Sequence, residues 1–184
     1  MPRILSVTLL MLMFCNPAFA DKADSKRAKI QKMRAEVLEQ LHQEKPSTRS
    51  EIKNAAGYAV FSNIGVNVIF VSAGGGSGVV HNNRSGKDTY MKMGSAGVGI
   101  GFGVKDFRGI FVFHTPQALN SFIDTGWDFA GQADAAAKSG DKGAEGNVAG
   151  TVVNGVSLYQ ITETGLALQA TLQGTKYWLD KKLN

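Results

Sequence analysis

The sequence predicts an α+β protein. It has an N-terminal amphipathic helix and short helices packed on a large, mostly antiparallel, Gly-rich β-sheet or partly closed barrel. Three observations lead there. A long stretch near the N-terminus places apolar residues at helical spacing. From Gly57 onward the chain breaks into short β-branched and aromatic runs. Finally, 22 glycines in 184 residues are scattered through apolar segments, well above the roughly 7% of average proteins, which marks close backbone contacts rather than a linker.

The first twenty residues stand apart. Arg3 gives a short basic start, Ile4 to Phe14 is apolar apart from Ser6 and Thr8, and Ala18-Phe19-Ala20 precedes Asp21. This is the plan of a secretory signal peptide with an A-x-A processing site. The apolar run is shorter than the about 20 residues that a transmembrane helix needs. Cys15, the single cysteine, lies inside it. Bulky Phe14 stands before it where lipoprotein processing wants a small residue, so cleavage after Ala20 is the preferred route and acylation of Cys15 the lesser one. The mature chain is then periplasmic or secreted and holds no cysteine, hence no disulfide, thiol nucleophile or cysteine metal site. Loss of Arg3 lowers the net charge from +5 to +4. That mild excess suits anionic lipid or plain solubility, and is too sparse for a nucleic-acid binder. The chain divides into a signal at 1–20, an amphipathic helical segment at 21–48 and an α+β domain at 49–184.

Residues 24–43 read as the amphipathic helix. Ile30, Met33, Val37, Leu38 and Leu41 share one face, and no glycine or proline interrupts. The first half carries Lys26, Arg27, Lys29, Lys32 and Arg34, the second Glu36, Glu39 and Glu44. This order opposes the helix dipole, which favours acids early and bases late. Either the apolar stripe packs on the domain, the expected case, or the helix faces a membrane with its bases on lipid phosphates. Pro46-Ser47-Thr48 ends it. A second helix over about 49–56 follows, with Thr48 as cap, Glu51 three places on, and Gly57 as stop.

Strands are expected at Tyr58 to Phe61, Val66 to Ser72, Val79-Val80 after a glycine run, and Thr89 to Met93, with a polar turn over 81–88. Gly97, Gly99, Gly101 and Gly103 alternate with Val98, Ile100, Phe102 and Val104. That is strand period, with one bare face that allows close approach. Gly109 to Phe113 is another strand. Thr115-Pro116 starts a helix that buries Leu119, Phe122 and Ile123 and stops at Gly126. Trp127 to Ala137 alternates as a strand, Lys138 to Gly150 is a loop, and Val156 to Ile161 turns into Leu166 to Leu172. Lys176 to Leu183 is a basic tail docked on the sheet.

Motifs for chemistry are missing. Neither glycine cluster fits G-x-x-x-x-G-K-[ST]. The G-x-G-x-x-G fingerprint fails from Gly74, Gly97, Gly99 and Gly101, where the last position is Val79, Phe102, Val104 or Asp106. His42, His81 and His114 lie far apart without H-E-x-x-H spacing, and no G-x-S-x-G elbow is present. Asp124 and Asp128 flank Trp127 at a helix stop, where acids are ordinary turn residues; as a pair they would suit a glycosidase. No catalytic residue, metal or cofactor is expected. Arg84, Lys87, Lys105 and Arg108 fall at predicted strand ends. Gathered at one rim they would form an anion site for a lipid head group; scattered, they are solubilising charge.

The order of segments KNAAGYAVFSNIG, VSAGGGSGVV, IFVFHTPQALNSFI and GWDFAGQADAAA, closed by a strand pair, resembles the SYLF family of lipid-binding domains over roughly Glu51 to Tyr177. Ser62 stands where the family's commoner entry has proline. The resemblance implies a non-enzymatic protein. Eukaryotic members bind phosphoinositide membranes through a basic surface and an amphipathic N-terminal segment, and some bind actin, which has no meaning in a periplasm. Bacterial relatives are exported or lipid-anchored. The expected partner is thus an anionic lipid or membrane surface, met by Lys26, Arg27, Lys29, Lys32, Arg34, Arg84, Lys87, Lys105 and Arg108. The alternatives are an envelope interaction module that binds a protein partner or itself, and an envelope hydrolase. Protein collected after export should begin at Asp21 by intact mass; retained Met1 or a lipidated Cys15 would overturn the processing assignment.

Overall fold

The computed structural model describes residues 17–63, 75–95, 108–128, 151–153, 155–162, 165–167 and 175–184. Three helices are described: α1 Pro17–Glu44, α2 Thr48–Asn54 and α3 Pro116–Thr125. Among the described residues the strands are β1 Gly57–Ser62, β2 Gly75–Asn82, β3 Asp88–Ser95, β4 Arg108–Phe113, β5 Trp127–Asp128, β6 Thr151–Val153, β7 Val156–Thr162, β8 Gly165–Ala167 and β9 Thr175–Leu179. They form one sheet in the order β5-β9-β3-β2-β1-β4-β7-β6, with β8 also on β7. Each described pairing is antiparallel. The α+β prediction is correct, and among the described residues the sheet is open rather than closed into a barrel.

Both faces of the sheet are apolar, and a helix covers each. Strand alternation sends Ala59, Phe61, Val80, Met91 and Phe111 to one side, where Leu119 and Phe122 of α3 pack on them. At its centre Phe61 meets Tyr177 with ring centroids 4.7 Å apart, and Phe111 meets Phe122 at 5.4 Å. The other side presents Val60, Ile110, Val112, Tyr159 and Ile161 to Val37 and Leu41 of α1. Ile30 of α1 sits with Val79 and Leu183. Each such fully buried side chain stabilises the fold by about 1.5–3 kcal/mol. The apolar stripe of α1 is therefore used inside the molecule.

Local chemistry explains the elements and several departures from expectation. Thr115 caps α3 by accepting from the Ala118 N–H at 3.2 Å, and Gly126 ends it at φ 69°, as read from sequence. Thr48 is not a cap. It is the first residue of α2, fully buried, and its hydroxyl donates to the Lys45 carbonyl at 2.6 Å. Ser47 holds the cap position without a side-chain bond. Asn83 closes the other end, donating to the carbonyls of Ile52 and Ala55. In the β2–β3 turn, Asn82 Oδ1 accepts from the Arg84 and Ser85 N–H groups, an Asx turn. The segment 176–183 is more than a docked tail: its first part is β9, paired with β3 from Leu179↔Met91 to Thr175↔Ser95. Of the predicted strands at 66–72, 97–104 and 127–137, only Trp127–Asp128 lies within the described residues. Of Leu166 to Leu172, only 166–167 does, in β8.

The glycine run before Val79 is strand, although glycine disfavours strands. Space decides the matter. A Cβ on Gly76 would stand 2.5 Å from the Ser62 carbonyl oxygen and 2.7 Å from Met93 Cε, and one on Gly78 would collide with the Phe61 ring and the Val60 carbonyl. Gly78→Ala should cost roughly 1–3 kcal/mol in urea unfolding, the range for overpacking. Arg84→Ala, on the exposed turn, should cost under about 0.5 kcal/mol. Equal midpoints for the two variants would refute the close-packing account.

Candidate functional site

The cations singled out from sequence divide into two groups. The first group is spent on holding α1 to the sheet. Lys26 Nζ lies 3.0 Å from Asp180 Oδ2, and Lys92 Nζ 3.6 Å from Oδ1 of the same carboxylate. The Asp180 side chain is only 1% exposed. Arg27 donates through Nε to the Leu183 carbonyl at 3.0 Å and through a terminal nitrogen to Asp24. Arg34 donates to both oxygens of Asp88 at 3.0 and 3.1 Å, and Gln31 Nε2 donates to Asp88 Oδ2 and Tyr90 Oη, each at 2.8 Å. His81 Nδ1 reaches Asp88 Oδ1 at 2.6 Å. Arg108, at the start of β4, donates to Gln40 of α1.

The second group faces solvent. Lys29 and Lys32 lie on the exposed side of α1, Lys32 with a loose 3.8 Å approach to Glu36. Arg84 and Lys87 are exposed on the β2–β3 turn. The Arg34–Asp88 pair ties that turn to the helix. A single rim joining Arg84 and Lys87 to Arg108 does not exist. The β2–β3 turn adjoins the Gly57 end of β1, whereas Arg108 pairs with Ser62 at its other end. Lys105 lies outside the described residues.

The two carboxylates are the residues that sequence reading missed. Burial pushes the Asp88 carboxyl up, but hydrogen bonds from His81 and Gln31 and the Arg34 charge outweigh it, and its pKa lies below the usual value. Burial likewise opposes Asp180, yet Lys26, the Lys182 N–H and Lys92 hold it low. A signal for them was present. Bases in the first half of α1 run against its dipole, and Asp88 and Asp180 are the acids that make this order favourable.

Among the described residues the histidines do not complete a catalytic triad. His42 Nδ1 faces the Thr48 hydroxyl at 3.0 Å, and burial, then the Arg49 charge, lowers its pKa. His114 Nε2 lies 2.7 Å from Ser157 Oγ and 3.6 Å from Glu51 Oε1. A nucleophilic triad needs the carboxylate on the other ring nitrogen, to orient the base. Glu51 is instead the acceptor of the Tyr159 hydroxyl at 2.6 Å, and burial followed by this bond raises the Tyr159 pKa. Asp124 is exposed on α3. Among the described residues no group of three or more His, Cys, Asp or Glu is placed to hold a metal. No helix among them is long and apolar enough to cross a membrane.

No family model matches the chain. It is 34% identical over 168 residues to Beta cell expansion factor A of Aeromonas veronii, an alignment that takes in 91% of this chain. The chain spans 61% of that protein's length.

The Asp88 and Asp180 clamps give a testable sign. A carboxylate with a lowered folded-state pKa adds stability above its unfolded value, about 3.9, and loses it as pH falls through the folded value. Melting temperature should therefore fall below about pH 4, and Asp88→Asn should flatten part of that fall. At neutral pH, Lys26→Met should cost about 1–2 kcal/mol by leaving a buried carboxylate short of a donor, and Lys29→Met under about 0.5 kcal/mol. Equal costs would show that the Lys26 pair contributes nothing.

Proposed function

We propose that the protein is an exported, non-enzymatic domain that binds anionic lipid at a membrane surface, in the manner of the SYLF domains that its segment order resembles. The observation that carries this reading is the division of the cations. After Lys26, Arg27, Arg34 and Arg108 are engaged within the fold, Lys29, Lys32, Arg84 and Lys87 remain exposed on adjoining elements. Bases that no internal acid requires are suited to phosphates, and their attraction falls with salt.

Support for the alternative, an envelope interaction module, comes from the sheet edge. β5 pairs only with Lys176 and Tyr177, so among the described residues nothing pairs with the outer side of Trp178 and Leu179. An open edge can accept a strand from a partner or a second copy.

Flotation of the exported protein with vesicles separates the readings. Binding to phosphatidylglycerol-containing vesicles, absent on pure phosphatidylcholine and weakened by added salt, is the expected result. Absence of any preference for anionic vesicles would overturn the lipid reading.

A further inference from the structure

Trp178 and Leu179 are the large apolar side chains that stand exposed among the described residues, at 46% and 38%. Trp178 is held in place rather than loose. It pairs with Lys92 across β3, and its ring lies over Gly94, where a Cβ would be 2.9 Å from the indole Cη2. The missing side chain of Gly94 thus makes a seat for an indole whose outer part meets water.

Exposed basic residues lie on the segments that follow this seat and on the helix fastened to them. Lys181 and Lys182 follow in the turn after β9, and both are exposed. That turn is fastened to α1 through Lys26–Asp180 and Arg27–Leu183. Lys22 and Lys29 lie four residues before and three after Lys26, so they share its side of the helix, and both are exposed. None of these four lysines takes part in the ion pairs described above. Two acids of this region are occupied: Asp180 is buried between Lys26 and Lys92, and Asp24 is paired with Arg27.

We propose that this corner, Trp178 seated on Gly94 together with the exposed Lys22, Lys29, Lys181 and Lys182 on the segments fastened at Asp180, is where the protein meets an anionic bilayer. The inference rests on the lipid-binding reading and moves its centre from the β2–β3 turn to the end of β9. Charge complementarity decides the occupant. A symmetric pair of copies would set the same lysines against one another, whereas a bilayer with acidic head groups receives them all. An indole with one apolar face and one N–H belongs at head-group depth, and lysine stems lie along that interface while their charges reach the phosphates.

The test uses the full exported chain and vesicles of one part phosphatidylglycerol to two parts phosphatidylcholine. Trp178→Ala and the double variant Lys181→Glu/Lys182→Glu should each raise the apparent Kd at least fivefold. Arg84→Glu/Lys87→Glu should raise it less than either corner variant does, and Lys53→Glu, on the exposed side of α2, should change it less than twofold. In a Trp127→Phe background, emission should shift to the blue on binding and be quenched by brominated phosphatidylcholine. Circular dichroism confirms folding, and the lysine variant, confined to exposed side chains, carries the test if Trp178→Ala is unstable. Wild-type protein that ignores anionic vesicles would overturn the lipid reading and this site together. Wild-type binding retained in the Trp178 and lysine variants but lost in Arg84→Glu/Lys87→Glu would overturn this site alone. Blue-shifted emission that depends on protein concentration without vesicles would assign the corner to a second copy, and binding only to an acidic protein would assign it to a partner.

Discussion

A sheet that is apolar on both faces has to be covered on both, and the rest of this structure follows from that requirement. One face is closed by α3, a ten-residue helix whose Leu119 and Phe122 enter an aromatic cluster. The other is closed by α1, which crosses from β4 toward the end of β9, as its contacts with Arg108, Asp88 and Asp180 show. Among the described residues the fully buried apolar anchors of α1 are Ile30, Val37 and Leu41, a narrow seam along the helix. Such a seam removes water well but resists sliding and rolling poorly. The hydrogen-bonded pairs on Asp88 and Asp180 fix what the seam leaves free. Directional bonds of this kind specify an arrangement more than they add net stability.

Much of this was legible in the sequence. The α1 periodicity, the Thr115 cap, the Gly126 stop and the strand at Gly109 to Phe113 follow from local rules, because their causes lie within a few residues of each element. What was not legible depends on distant partners. Gly75 to Gly78 scores poorly as strand until Phe61, Met93 and the backbone of β1 are placed beside it. Thr48 carries the pattern of a cap, yet the Lys45 carbonyl claims its hydroxyl. The tail at 176–183 looks like a surface segment because its partner strand, β3, is more than eighty residues away in register.

The cations of the candidate site were legible in composition, and their partners within the fold were not. Sequence places five bases on the first half of α1, and a basic amphipathic helix invites a membrane reading. The structure divides that set by its partners: acids on β3 and after β9 take Lys26 and Arg34, a backbone carbonyl and Asp24 take Arg27, and Lys29 and Lys32 remain outside. Helical spacing alone cannot make this division, since it depends on which carboxylates the sheet carries to the helix. Polarity against the dipole was the one local sign that acids must lie opposite.

The Lys26–Asp180 pair also orders events in time. Its two residues are 154 positions apart. A chain that emerges N-terminus first presents α1 long before it presents the carboxylate that receives it. Until then the outer edge of β3 has no β9 to pair with, and α1 is fastened at Asp88 and Arg108 but not at Asp180. Contacts of such sequence separation form slowly, since a long loop must close before they reward it. The end of the helix made first is therefore locked last, and the nascent chain carries α1 without its Asp180 latch through most of its synthesis.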